Sequence, residues 1–167
     1  QGNKLALAMW QKASYDLLDF DNLTGIASNH ILIQSPDMNW TYGVEFSPDG
    51  NKLYGSELEV PSRLFQFDLN AGSAAAILAS RVTLGTSNTL YYYSALQLAP
   101  DGKIYCAHRL NDYIGVINQP DSSGVSCNSI DNGIYLSGME STLGLPNFVP
   151  DYVLPIINIP VASFQSS

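Results

Sequence analysis

The feature that most restricts this chain is a unit of about fifty residues that comes round more than once. Gly43-Val44-Glu45-Phe46-Ser47-Pro48-Asp49-Gly50-Asn51-Lys52-Leu53-Tyr54 has a counterpart in Ala95-Leu96-Gln97-Leu98-Ala99-Pro100-Asp101-Gly102-Lys103-Ile104-Tyr105, and the two Pro-Asp-Gly turns lie 52 residues apart. Gly2-Asn3-Lys4-Leu5-Ala6 matches Gly50-Asn51-Lys52-Leu53-Tyr54 at an offset of 48. Downstream, Leu18-Asp19-Phe20-Asp21-Asn22-Leu23-Thr24-Gly25 aligns with Phe65-Gln66-Phe67-Asp68-Leu69-Asn70-Ala71-Gly72, and then with Gly115-Val116-Ile117-Asn118-Gln119-Pro120. Another copy opens at Gly144-Leu145-Pro146-Asn147-Phe148-Val149-Pro150-Asp151, where Tyr152 stands in place of the turn glycine.

Each copy spells four short strands. Apolar residues alternate along the first (Tyr42, Val44, Phe46; Leu96, Leu98), the pattern of a half-buried strand. A tight turn follows, in which Pro48 and Pro100 preset one backbone angle while Gly50 and Gly102 accept positive φ. The second strand is expected at 52–56 and 103–108, the third at 63–69 and 113–118, and a longer fourth at 75–84 and 126–136. Four antiparallel strands repeated at this period make the blade of a β-propeller. The fold class expected is therefore all-β, with about three blades of an incomplete ring over residues 1–150. Blade ends fall near 36, 87 and 138, and 151–167 forms a strand or linker. A twisted sheet cannot bury both its faces alone, so blades stack. Phe46, Leu53, Phe65, Phe67, Leu96, Leu98, Ile104, Tyr105 and Ile117 are the residues expected in the gaps. The outermost apolar faces then need cover from the remaining blades of the same protein or from another chain.

Composition narrows the partners. The net charge is −8, and the seven Lys and Arg residues are scattered singly. Nucleic acid and anionic membranes are attracted by clustered cations, so neither is an expected partner, and no apolar run reaches the length of a membrane span. Charged residues make up 13% of the chain, about half the usual share, leaving a surface of neutral polar groups. Gln1-Gly2-Asn3-Lys4 reads as the middle of a turn, so a start partway through a longer protein is expected.

At Phe46-Ser47-Pro48-Asp49-Gly50 the chain resembles the WD-repeat-like propeller superfamily. The series Leu96 to Tyr105, Gly115 to Pro120, Gly124-Val125-Ser126-Cys127-Asn128 and Gly144 to Phe148 looks like the propeller region of large Bacteroidetes surface proteins. Those proteins often carry PKD modules and a gliding-motility or type IX secretion sorting domain. The resemblance implies an exported protein, at the outer-membrane surface or released, with no known reaction. Asn128-Ser129 departs from the pattern, where an aromatic is more usual.

The candidate binding residues are the aromatics flanking the first strands: Trp40 and Tyr42 in one blade, Tyr91, Tyr92 and Tyr93 in the next. At one mouth of a propeller they would stack on a sugar or a peptide; the competing reading is packing between blades. Asp49 and Asp101 are read as turn residues. Asp16, Asp19 and Asp21 do not converge as a calcium loop requires. Cys106 and Cys127 lack zinc-site spacing, leaving a disulfide or two buried thiols. Cys106 and His108 share a strand face without a third group to complete a catalytic set. There is no nucleotide-binding glycine motif, and no metal or cofactor is expected. The reading is a non-catalytic surface or secreted module for adhesion, carbohydrate contact or assembly. The alternatives are a lactonase-like propeller enzyme, for which Glu45 opposite Gln97 is the sole support, and an exported segment held by secretion machinery.

Overall fold

A computed structural model describes residues 2–146. Eleven strands form three antiparallel sheets. The first contains β1 (Lys4–Met9), β2 (Ser14–Asp21) and β3 (Ile26–Gln34). The second contains β4 (Thr41–Phe46), β5 (Lys52–Glu57), β6 (Ser62–Asp68) and β7 (Val82–Ser87). The third contains β8 (Tyr92–Leu98), β9 (Ile104–Arg109), β10 (Tyr113–Ile117) and β11 (Ser129–Tyr135). Each sheet is a meander of consecutive strands. The chain is an all-β stack of propeller blades. The segment 151–167, and the fourth copy beyond Pro146, lie outside the described residues.

The repeated turn is built from its own residues. Gly50 N–H donates to Ser47 O at 2.9 Å, and Gly102 N–H to Ala99 O at 3.0 Å. The glycines sit at φ 72° and 77°, where a side chain would be strained. Asp49 accepts from Ser47 Oγ at 2.6 Å and from the Asn51 backbone N–H at 2.9 Å. Asp101 accepts from Lys103 N–H at 3.1 Å and Tyr105 OH at 2.8 Å. Burial alone would raise the Asp49 pKa, but the Ser47 and Asn51 donors hold it down at about 2. Both aspartates thus serve the turn backbone.

The fourth strands differ from expectation. Residues 74–79 form a helix, α1 (Ala74–Ala79), and the strand begins only at Val82. Ser73 caps that helix by accepting from Ala76 N–H, and an alanine-rich run favours it. In the third sheet a 3-10 turn, Gly124–Cys127, precedes β11. Of the residues expected in the gaps, Leu53, Phe65, Phe67, Leu96, Ile104 and Ile117 are buried. Phe46, Leu98 and Tyr105 are half-buried. Cys106 and Cys127 are free buried thiols, so the structure contains no disulfide between them. Burial pushes Cys106 up to about 12 and Cys127 in the same direction, which leaves both unreactive near neutrality.

Side chains weld the sheets. Thr41 Oγ1 donates to Ser14 O at 2.9 Å, Ser56 Oγ to Ser94 O at 2.7 Å, and Tyr93 N–H to Ser62 Oγ at 2.9 Å. On the innermost strands, Leu98 N–H of β8 donates to Glu45 Oε2 of β4 at 2.8 Å. Across the turn end, the Pro120–Gly124 loop of the third sheet docks onto the second. Tyr54 OH donates to Pro120 O, Gln66 Nε2 to Ser122 O, and Gly124 N–H to Gln66 Oε1, all between 2.7 and 2.8 Å.

Candidate functional site

Because each sheet is an antiparallel meander, the starts of β4 and β8 lie at the same end as the β1–β2, β5–β6 and β9–β10 connections. This end, opposite the Pro-Asp-Gly turns, is the upper rim. Trp40 immediately precedes β4, with φ of 38°. Its ring meets Trp10, from the 3-10 turn joining β1 to β2, at a centroid distance of 4.7 Å and an interplanar angle of 57°. Trp10 is 47% exposed, Trp40 39% and Tyr42 37%, so three large aromatic rings meet solvent at the head of the second sheet. Trp10 was not singled out from the sequence. The β5–β6 and β9–β10 connections carry no aromatic at 58–61 or 110–112, so the repeat offered no signal for it.

The loop presenting Trp40 is clamped from below. Asn39 N–H donates to Glu57 Oε1 at 2.7 Å, and Leu58 N–H donates to Trp40 O at 3.0 Å. Glu57 is fully buried and pairs with Arg63 Nε at 2.6 Å. Burial pushes its pKa up, while Asn39 N–H and the Arg63 guanidinium pull it back. Arg63 and Arg81 both sit over the ring of Phe65, at 5.1 and 5.0 Å from its centroid, and both bond Asp37. The Arg81 and Ser35 hydrogen bonds hold the Asp37 carboxyl well below the usual carboxylate range. A buried ion pair and a shared carboxylate therefore fix the shelf.

The three tyrosines of the third sheet separate. Tyr91 is half-exposed, and Tyr92 carries Arg109 over its ring at 5.4 Å. Tyr93 instead turns inward and is buried, so it does not line an open mouth. Its OH donates to Asp131 Oδ2 of β11 at 3.0 Å, and its ring meets that of His108 edge-on at 4.9 Å. His108 is 4% exposed, and its Nε2 has no hydrogen-bond partner. It is thus neither a satisfied core histidine nor an exposed one. Burial lowers its pKa and the nearby Asp131 carboxylate only partly restores it.

These side chains wall a cleft of about 450 Å³ between the second and third sheets. Thr86, Ser87 and Thr89 bring hydroxyls to it, and Asn88, Asn111 and Asn132 bring amides. Tyr91 edges it, and also edges a neighbouring hollow of about 330 Å³ that holds Asp112 and Glu140. Two glycines make room for the Tyr93 and His108 rings of that wall. A Cβ on Gly85 of β7 would lie 2.2 Å from Tyr93 Oη, and one on Gly115 of β10 would lie 2.9 Å from His108 Nε2.

Four other acidic residues have partners of their own. Glu45 accepts from Phe46 N–H at 2.9 Å as well as Leu98 N–H; its burial raises its pKa, opposed by those two donors. It clamps the two innermost strands together. Asp16 faces His30 at 3.4 Å, Asp19 bonds Lys4 and Asn29, and Asp21 caps the turn at Leu23 and Thr24. No cluster of three metal-ligating side chains occurs among the described residues.

No protein-family model matches the chain, and no curated protein matches it. Solved structures do. Hydrazine synthase from Kuenenia stuttgartiensis is 17% identical with a TM-score of 0.50, over 80% of this chain and 34% of that one. A putative 6-phosphogluconolactonase from Bacteroides uniformis is 15% identical with a TM-score of 0.50, over 84% of this chain and 39% of that one. Virginiamycin B lyase from Staphylococcus aureus is 18% identical with a TM-score of 0.47, over 68% of this chain and 34% of that one. This chain spans less than two fifths of the length of each of these structures. At such identities the likeness concerns architecture: the first two place the stacked sheets among β-propellers.

Proposed function

We propose that the chain is part of a non-catalytic, exported β-propeller that binds carbohydrate on its upper rim. The observation that carries this reading is the Trp10–Trp40 pair: two rings 4.7 Å apart, each more than a third exposed, with the Trp40 loop held by a buried ion pair. Exposed rings on a rigid support are unfavourable for solubility and suited to stacking on the apolar face of a sugar. The low charge and the absence of a cationic patch favour a neutral ligand over an anionic one. A hydrolytic role finds no support in Glu45, whose oxygens are both occupied by backbone donors. Leu5 and Leu7 on the first sheet and Ile130 and Ile134 on the third are exposed, which favours further blades, or another chain, as cover for the outer faces. The sequence resemblance to Bacteroidetes surface proteins is what favours display at the surface.

A glycan array probed with the wild type and with Trp40→Ala tests the binding role. Retained glycans that the variant loses support it. An identical profile for the variant, or no glycan retained by the wild type, overturns it. Protease shaving of intact source cells, read by mass spectrometry of the released peptides, tests display at the surface.

A further inference from the structure

We propose that the cleft between the second and third sheets is a separate binding site for one neutral sugar ring, with His108 and Asp131 in its wall. This rests on the carbohydrate reading of the rim and adds to it a defined pocket. Both walls come from complete four-stranded sheets, so the cleft is not the open end of an uncovered blade. Its volume of about 450 Å³ falls within the range of small-molecule sites.

The space is built into the strands. Glycine inside a strand weakens it, yet Gly85 and Gly115 stand where a Cβ would strike Tyr93 and His108. The room they leave holds the hydroxyl end of Tyr93 and the imidazole of His108. The wall chemistry then selects the ligand. No Lys or Arg lines the cleft, which disfavours phosphates and carboxylates. An apolar ligand would leave the hydroxyls and amides of the wall without partners. A sugar ring carries hydroxyls that both donate and accept, and an apolar face for the half-exposed ring of Tyr91. The adjoining hollow shares Tyr91 and Asn111 with the cleft. A second sugar residue has a place there, so a disaccharide binds more tightly than its monosaccharide.

The test is an NMR titration of the chain with a panel of neutral methyl glycosides and their disaccharides, following the ring signals of His108. Tyr91→Ala and Asn132→Ala are the variants, since both positions are exposed and neither anchors the core. The expected result is a saturable shift of His108 at millimolar sugar, weakened about tenfold in either variant and unchanged in Trp40→Ala. No shift with any glycoside overturns the proposal, as does a shift that neither variant weakens or that Trp40→Ala abolishes. If Trp40-dependent array binding persists while His108 stays still, the cleft fails and the rim reading stands. If His108 shifts while Trp40→Ala leaves the array unchanged, the shelf fails and the cleft stands.

Discussion

The gap between the first and second sheets and the gap between the second and third hold a similar pairing, tyrosine over glycine, with opposite results. In the first, the ring of Tyr15 covers Gly55 and its OH donates to Ser56 O at 2.7 Å. Ile33, Met38, Leu53, Phe65 and Phe67 close around it, with Phe67 edge-on at 5.8 Å. In the second, Tyr93 covers Gly85, but its OH goes to a carboxylate on the outer strand. The apolar cluster there stops short of the rim, leaving His108 and the cleft. One gap is filled to the rim and holds the blades together. The other gives up packing at its upper end and gains a polar pocket.

Four tests would break or sharpen that contrast. The largest effect is expected from Arg63→Met, which strands the buried Glu57 carboxylate beside the filled gap. Losing one partner of a buried pair costs about 3 kcal/mol or more, read as a fall in the urea midpoint. Next, Gly55→Ala drives a Cβ to within 2.4 Å of the Tyr15 ring, which has no free space to enter. A loss of about 2 kcal/mol is expected. Gly85→Ala drives a Cβ to within 2.2 Å of Tyr93 Oη, but that ring borders the cleft and can swing toward it, so about 1 kcal/mol is expected. Equal losses at the two glycines would mean that the second gap is as tightly packed as the first. Third, Tyr15→Phe leaves the buried Ser56 carbonyl without its donor and costs about 1 kcal/mol. Tyr93→Phe frees a carboxylate on an exposed strand and costs about half as much.

The smallest effect concerns pH. Burial depresses the folded-state pKa of His108 below its ordinary value of 6.5. Between the depressed value and 6.5 the unfolded chain binds the extra proton, so His108 contributes stability above pH 6.5 that fades as pH falls through that window. His108→Gln should flatten this part of the wild-type stability–pH curve. An NMR titration of the His108 ring in the folded protein should give a pKa below 6.5; a value above it would mean that Asp131 dominates burial.

Much of the architecture was legible because the turn chemistry repeats. Pro48-Asp49-Gly50 and Pro100-Asp101-Gly102 mark where a first strand ends, and the alternation beside them identifies the buried side. Helix α1 was obscured by that same regularity: Ser73 and the run Ala74-Ala75-Ala76 are a helix start, overridden in the reading by the demand for a fourth strand. Of the rim, Trp40 and Tyr91 could be picked out because they precede equivalent strands. Asp131 could not, since it reaches Tyr93 only by folding across two intervening strands. Gly85 and Gly115 look like ordinary strand residues until the atoms above them are known.

The clasp of Glu45 on Leu98 N–H has a wider effect. A strand bordering a sheet offers a row of amides on which a stranger's chain can template itself. On β8 three such amides are already taken: Leu98 by Glu45 Oε2, Ala95 by the carbonyl of Leu143, and Tyr93 by Ser62 Oγ. With its neighbouring sheet in place, this inner edge has few amides left on which cross-β pairing could begin.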